Sequence, residues 1–124
     1  MKKLLTIIGF FLTLNTFAQS ADDVASALNA GNANKFASYF SNSVNITLPQ
    51  KPEVKNLSKA EAAAMIQSFF TKNKVSGFER FSDSRQLNDM TYVAGKLKGT
   101  QEYNITVVLK STGNTISVIR VRIF

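Results

Sequence analysis

Hydrophobic residues recur at helical spacing at two places in the first part of the chain. In "SADDVASALNAGN", Val24, Ala27 and Leu28 share one helix face. Ser20 or Asp22 can cap this helix at its positive end. A second, short helix can follow the glycine in this stretch. Its cap is Asn32 or Asn34, and it is predicted to carry Phe36, Tyr39 and Phe40.

The strongest helix signal lies in "LSKAEAAAMIQSFFTKN". Ser58 and Glu61 have the spacing of a capping box, in which each side chain accepts a hydrogen bond from the other residue's backbone N–H. Five apolar residues then recur at the spacing of one helix face. They are Ala62, Met65, Ile66, Phe69 and Phe70. We therefore predict a third helix that ends near Asn73.

Alternation of apolar and polar residues predicts strands in the rest of the chain. Val44, Ile46 and Leu48 alternate with polar residues, and "PQKP" predicts a turn before a short edge strand in "EVKNL". After Gly77, four segments are typical of an antiparallel meander. They are "FERFSDSR", "MTYVAGKLK", "EYNITVVLK" and "TISVIRVRIF".

Two glycine turns set the predicted register of this meander. A two-residue loop at Gly99 places Lys98 opposite Gln101, and a three-residue loop in "STG" places Lys110 opposite Asn114. Strict alternation then sorts the last three strands into two faces. The predicted helix-facing residues are Met90, Tyr92, Ala94, Tyr103, Ile105, Val107, Leu109, Ile119 and Val121. The predicted outer face carries Thr91, Val93, Leu97, Glu102, Asn104, Thr106, Val108, Ile116, Val118, Arg120 and Arg122, with Glu102 opposite Arg122.

Residues 1–18 have the layout of a secretory signal peptide. Lys2 and Lys3 give a positive start, and "LLTIIGFFLTL" is an apolar stretch too short to span a bilayer comfortably. Small residues precede a predicted cleavage after Ala18. We therefore expect residues 19–124 to form one domain that is exported, periplasmic or secreted, with no membrane span after cleavage.

Composition narrows the possible partners and chemistry. The formal net charge is +7, but the lysines are scattered, so solubility explains the surplus better than an anionic partner does. No nucleic-acid motif is present, so no nucleic-acid partner is expected. The chain has no His and no Cys, which excludes a histidine base, a thiolate nucleophile and a soft-metal site. Since its eight acidic residues are spread out, we predict neither a metal nor a cofactor.

The order of these elements, together with "NKFASYFSNSVNITLP", resembles the nuclear-transport-factor-2-like superfamily, which includes ketosteroid isomerases. More closely, the chain resembles a family of small exported bacterial proteins within that superfamily. The resemblance implies an α+β, cystatin-like roll, in which three helices from the N-terminal half pack in the concave face of a curved antiparallel sheet. Rolls of this kind are cone-shaped and often have an apolar pocket at the open end of the cone. The fold alone does not determine function.

The resemblance to isomerases also implies one catalytic arrangement, a buried carboxylate base that faces a tyrosine. A carboxylate in an apolar pocket has its pKa raised, which makes it a usable base. Asp83 is a weak candidate for the base, with Tyr39, Tyr92 or Tyr103 as its partner. No turn fixes the direction of the Asp83 side chain. The three strands with an assigned register carry no acid on their helix-facing side, which favours a protein without catalysis.

Two sets of residues are candidates for binding. An apolar pocket in the cone would be lined by Phe36, Tyr39, Phe40, Phe69, Tyr92, Lys96 and Tyr103. The same aromatic rings could instead fill a packed core. A homodimer interface on the outer sheet face would contain Val93, Leu97, Val108, Ile116, Val118, Arg120 and Arg122. A monomer in sedimentation experiments would contradict this interface.

These features favour a non-catalytic exported module that binds a partner or a small apolar ligand and self-associates. The alternative hypothesis is a ketosteroid-isomerase-like or hydrolytic enzyme that uses Asp83 with a pocket tyrosine. An Asp83 side chain that points to solvent, away from any cavity, would contradict the enzyme hypothesis.

Overall fold

The structure is a computed structural model that describes residues 21–81, 85–113 and 115–124. The helices within this part of the chain are α1 (Ala21–Asn29), α2 (Ala33–Ala37) and α3 (Lys59–Lys72). The strands are β1 (Phe40–Thr47), β2 (Val54–Ser58), β3 (Gly77–Arg80), β4 (Arg85–Leu87), β5 (Met90–Lys98), β6 (Glu102–Thr112) and β7 (Thr115–Ile123). The predicted signal peptide and Asp83 lie outside the described residues.

The first helix forms as predicted, and the second is shorter than predicted. Val24, Ala27 and Leu28 of α1 are buried in the core. The Asn32 side chain caps α2, but this helix ends at Ala37. Tyr39 and Phe40 therefore do not lie on it, contrary to the prediction. Because the Tyr39 carbonyl accepts a hydrogen bond from the Val118 N–H at 2.8 Å, the backbone there already pairs with β7.

The third helix confirms the capping box. The Glu61 N–H donates to the Ser58 hydroxyl at 3.1 Å, and the Ser58 N–H donates to the Glu61 carboxylate at 3.0 Å. Ala62, Ile66 and Phe70 of the predicted apolar face are buried. The other two members, Met65 and Phe69, are only half-buried.

The strands form one curved sheet in the order β2-β1-β7-β6-β5-β3, and β4 also pairs with β5. The pairs β1–β2, β3–β5, β4–β5, β5–β6 and β6–β7 are antiparallel. The first and last strands, β1 and β7, pair in parallel. The α+β roll is therefore confirmed, but its sheet is mixed, whereas the prediction was a wholly antiparallel sheet.

The predicted register between β5 and β6 is wrong by one residue. Lys98 pairs with Glu102, so the loop contains three residues where two were predicted. A Cβ on Gly99 would lie 2.3 Å from the Asn73 carbonyl oxygen, so the glycine allows close contact with the end of α3. The sequence alone did not reveal this role. The longer loop pairs Leu97 with Tyr103. The residues of β5 that lie on the same face as Tyr103 are therefore not the ones that were predicted.

The corrected register exchanges the two faces of β5. Val93 and Leu97 face the helices and are buried, contrary to their predicted outer position. Met90, Tyr92 and Ala94 lie on the outer face, where the prediction had them facing the helices. The odd-numbered residues of β6 do face the helices, as predicted. They are Tyr103, Ile105, Val107 and Leu109.

The predicted register between β6 and β7 is also wrong. Thr112 pairs with Thr115, and the register shifts by one residue between Val108 and Leu109. Before the shift, Ile116 and Val118 pack against the core; beyond it, Val121 is buried as predicted. Ile119 instead lines an outer-face depression with Tyr92 and Val108. The predicted pairing of Glu102 with Arg122 is wrong too, since Arg122 pairs with Thr106.

The centre of the core contains three phenylalanine rings from three different elements. The ring centroids of Phe36 and Phe40 are 5.1 Å apart in an edge-to-face arrangement. The Phe36 ring also stacks on Phe70, at 6.2 Å. Such ring pairs add to the stability that burial alone provides. These contacts fix α2 and α3 against β1, and this arrangement positions the site described below.

Candidate binding cleft

An open cleft of about 1120 Å³ lies between the β1–β2 hairpin and α3. It reaches from the hairpin loop to the β5–β6 loop. The residues that line it are Ile46, Leu48, Pro49, Gln50, Lys51, Pro52, Val54, Leu57, Glu61, Ala64, Met65, Ser68, Phe69, Lys72, Asn73, Gln101 and Tyr103. We call this feature the hairpin cleft.

The floor of the hairpin cleft is apolar. Ile46 of β1 is fully buried beneath it, and Leu57 of β2 is half-buried beside it. Met65 and Phe69 are four residues apart on α3, so their side chains are neighbours on one helix face. The Phe69 ring packs on the Tyr103 ring, with centroids 5.3 Å apart. Met65, Phe69 and Tyr103 thus form a row of apolar side chains that are only partly covered by the protein and can contact a ligand.

The hairpin wall of the cleft is held by a tight turn. The Lys51 N–H donates to the Leu48 carbonyl at 3.1 Å, with Pro49 and Gln50 between them. Proline followed by a residue of positive φ is typical of a type II turn, and Gln50 has a φ of 62°. The turn predicted from "PQKP" is therefore confirmed. It places Lys51 in the lining of the cleft.

Hydrogen bonds between side chains fix the other end of the cleft. The Tyr103 hydroxyl donates to Asn73 Oδ1 at 3.2 Å and accepts from Gln101 Nε2 at 2.6 Å. Asn73 is the C-cap of α3, and its Nδ2 donates to the Phe69 carbonyl at 2.9 Å. The Thr100 N–H donates to the Asn73 carbonyl at 2.8 Å, which fastens the β5–β6 loop to the helix end. The tyrosine is therefore held in one position.

Three charged residues line the cleft: Lys51, Lys72 and Glu61. A hydrogen bond from the Ser58 backbone N–H, and a second one with the Ser58 hydroxyl, hold the pKa of the Glu61 carboxyl below its ordinary value of 4.5. A carboxylate base needs the opposite shift, because a raised pKa is what makes it accept a proton near neutral pH. Glu61 is therefore a helix cap and a poor base.

The structure separates the seven predicted pocket residues into four groups. Phe69 and Tyr103 line the hairpin cleft. Phe36 and Phe40 are buried in the core, because α2 ends early and turns Phe40 into the sheet. Tyr39 is half-buried, with the Lys35 ammonium 5.7 Å from its ring centre.

The other two predicted pocket residues, Tyr92 and Lys96, lie on the outer face of the sheet. The one-residue change in the β5–β6 register moves them there. Tyr92 lines the outer depression, and Lys96 forms an ion pair of 3.7 Å with Glu102. Neither residue is in the lining of the cleft.

Four of the seven predicted interface residues face the core and not the outer side of the sheet. Val93, Leu97 and Val118 are buried in the core, and Ile116 is half-buried against it. The remaining three do lie on the outer face. They are Val108, Arg120, which is 3.3 Å from Glu53, and Arg122, whose guanidinium is 5.7 Å from the Phe124 ring centre. The predicted homodimer stays a prediction with a smaller set of candidate contacts.

Sequence reasoning missed most of the cleft. The sequence places Met65 on the apolar face of α3 and indicates no binding role for Leu57, Asn73 or Gln101. A signal was present in the spacing of Met65, Phe69 and Lys72, which places two apolar residues and a lysine on one helix face. That spacing could not be told from an ordinary core stripe without the position of the hairpin.

The described residues contain no group of three or more His, Cys, Asp or Glu side chains that could hold a metal ion. The helices in those same residues are also too short or too polar to cross a bilayer. Asp83, the predicted weak base, is not among the described residues, so its relation to the cleft stays untested.

Comparison with solved structures defines the class of fold. The chain is similar to a cystatin-fold protein from Novosphingobium aromaticivorans, at 15% identity and a TM-score of 0.59, over 84% of this chain and 93% of that one. It is also similar to a "putative ketosteroid isomerase" from Kribbella flavida, at 17% identity and a TM-score of 0.60, over 89% of this chain and 77% of that one. The fold is therefore the nuclear-transport-factor-2-like, cystatin-like α+β roll that the sequence predicted.

The family follows from the sequence itself. The model of DUF4783, a domain of unknown function, matches residues 21–123, so the chain belongs to that family. A DUF4783 protein from Bacteroides ovatus is similar at 28% identity, with a TM-score of 0.76, over 85% of this chain and 94% of that one. No curated protein matches the chain. The family model thus shows the family, and the structural neighbours show the fold that the sequence predicted.

Proposed function

We propose that this protein is a non-catalytic binding module that holds the apolar part of a small molecule in the hairpin cleft. The observation that carries the proposal is the row of half-buried Met65, Phe69 and Tyr103 side chains that faces the open volume. Small-molecule sites are concave and mostly apolar, with a few placed polar groups and volumes of roughly 300–1,000 Å³. The hairpin cleft has this composition, and its volume of about 1120 Å³ is slightly above that range.

The polar groups of the cleft support binding better than catalysis. Glu61 is the carboxylate in the described lining, and its pKa is lowered by its role as a helix cap. The Tyr103 hydroxyl is already engaged by Asn73 and Gln101. Such a fixed polar end can orient a ligand, whereas a proton transfer would need a group with a pKa near neutral.

The experiment is a titration of the protein with a neutral fluorescent probe, N-phenylnaphthylamine, which brightens in apolar surroundings. Ala64 lines the cleft and is exposed, so Ala64→Trp should fill the cleft without disturbing the core. We expect this variant to weaken probe binding about tenfold or more, because the introduced indole ring would cover apolar surface that the probe contacts.

The matched control is Thr71→Trp, which adds the same side chain at an exposed position of α3 outside the cleft. This control should bind the probe like the unaltered protein. Equal binding by the Ala64 variant, or the absence of any probe binding, would contradict the proposed function.

A further inference from the structure

We propose that the ligand of the hairpin cleft is an aliphatic carboxylate, with its chain along the apolar row and its charge attracted by the two lysines of the lining, Lys51 and Lys72. This inference rests on the proposed function and adds the chemical class of the ligand to it. It depends on the charges of the lining, on the geometry of α3 and on the neutral polar groups at the cleft end.

The lining of the cleft carries two cations that are not matched by carboxylates. Some cations of the sheet do face carboxylates: Lys96 meets Glu102, Lys98 meets Glu79 and Arg120 meets Glu53, at 3.3–3.7 Å. Among the described residues, neither Lys51 nor Lys72 lies within ion-pair distance of a carboxylate. The charge of the lining is therefore complementary to an anion.

The acid of the lining does not cancel these two cations. One oxygen of the Glu61 carboxylate accepts the Ser58 N–H at 3.0 Å, and the first turn of α3 favours a negative charge there. This carboxylate is committed to its own helix. A ligand would therefore meet two ammonium groups and one ionised carboxylate that is held by its own helix cap, so the lining keeps a net positive charge.

The helix places one cation at the end of the apolar row. Met65, Phe69 and Lys72 follow each other at the i, i+4 and i+7 positions, so they share one face of α3. Seven residues of helix span roughly 10 Å. A ligand that lies along this face thus meets about 10 Å of apolar surface and then an ammonium group, which is the layout of an extended chain with a charged head.

Two of the neutral polar groups at this end are already engaged within the protein. The Tyr103 hydroxyl proton goes to Asn73 Oδ1, and Asn73 Nδ2 donates to the Phe69 carbonyl. The strongest donors that face a ligand are therefore the ammonium groups. Hydrogen bonds from an ammonium group to a carboxylate are stronger than those between neutral groups.

The test is displacement of N-phenylnaphthylamine by three ten-carbon probes below their micelle concentrations: decanoate, decanol and decyltrimethylammonium. We expect decanoate to displace the probe at a concentration about three- to tenfold lower than either of the other two, because two solvent-exposed charge pairs provide a modest gain. Raised salt should reduce this preference, since exposed charges are screened.

A pair of double variants separates the assigned lysines from the overall charge. Lys51→Gln with Lys72→Gln should abolish the preference for decanoate while decanol still displaces the probe. Lys55→Gln with Lys110→Gln changes the net charge equally, at exposed positions outside the cleft, and should keep the preference.

The outcomes distinguish this inference from the function on which it rests. Probe binding without a preference for decanoate would overturn the carboxylate and leave the proposed function standing. A preference that survives in the Lys51 and Lys72 double variant would overturn the assignment of these lysines. The absence of probe binding altogether would overturn the proposed function, and this inference with it.

Discussion

Gly31 joins two parts of the chain that are distant in sequence. Its φ is 65°, and a Cβ at this position would lie 2.4 Å from the Val75 carbonyl oxygen and 3.1 Å from Ser76 Cα. Two separate features of the structure therefore favour glycine at this position. It adopts a backbone conformation that other residues rarely take, and it lets the α1–α2 turn touch the segment after α3.

We predict that Gly31→Ala lowers the free energy of unfolding by clearly more than Gly113→Ala does. Both glycines have a positive φ, so both substitutions incur the left-handed backbone cost of about 1–2 kcal/mol. Only Gly31 also has backbone atoms in the way, since no neighbouring atom of the described residues lies within 4 Å of a Cβ on Gly113. Urea denaturation followed by circular dichroism measures both losses, and equal values would contradict the contact with Val75.

At the level of the element, the start of α3 links helix stability to pH. The Ser58–Glu61 capping box satisfies two backbone N–H groups that the helix cannot satisfy itself. These hydrogen bonds favour the ionised carboxyl, so its pKa in the folded protein lies below the ordinary 4.5. The folded state is therefore stabilised above the unfolded pKa, and this contribution is lost as the pH falls through the folded pKa.

We predict that Glu61→Gln removes this part of the pH dependence. The amide can still accept the Ser58 N–H, but it does not titrate. The variant should be less stable than the unaltered protein at neutral pH, and the difference should shrink as the pH is lowered below about 4.5. Urea denaturation at a series of pH values is the measurement. A difference that stays constant down to pH of about 3 would show that the charge of Glu61 has no part in the cap.

At the level of the whole molecule, the curved sheet has one face for the core and one for solvent. Leu97 is fully buried, while its neighbour Lys96 lies on the outer face beside Glu102. Leu97→Ala should lower the free energy of unfolding by roughly 2–5 kcal/mol, as for other large-to-small core changes. Lys96→Ala should change it by less than about 1 kcal/mol, since exposed ion pairs contribute little. Thermal or urea unfolding measures both changes. A larger loss of stability for Lys96→Ala than for Leu97→Ala would contradict the observed register and support the one predicted from the sequence.

The helices α1 and α3 could be predicted because their signals are local. The capping box at Ser58 and the apolar spacing of α1 and α3 lie within single elements, and all three formed as expected. The faces of the sheet could not be predicted, because they depend on loop length. Gly99 is needed for a close contact with Asn73, a residue that is distant from the turn in sequence. The shift of the β6–β7 register at Val108 has no recognisable signal in the sequence of β6.

The cleft could be predicted only in part, for a related reason. Phe36 and Phe69 have the same side chain and similar helical neighbours, yet Phe36 is buried in the core and Phe69 lines the cleft. The difference comes from the β1–β2 hairpin, which leaves a gap beside α3. A gap of this kind depends on tertiary packing, so the identities of the residues do not reveal it.

The parallel pairing of β1 with β7 has a consequence for the order of folding. Strand β7 follows the other described strands in the chain and lies between β1 and β6, so residues 115–123 join the hairpin half of the molecule to the meander half. A nascent chain that lacks this strand can form α3 and the local hairpins, but its sheet stays divided in two. Closing such a distant contact costs chain entropy before any pairing is gained, so we expect completion of the fold to be slow and to wait until β7 has been synthesised.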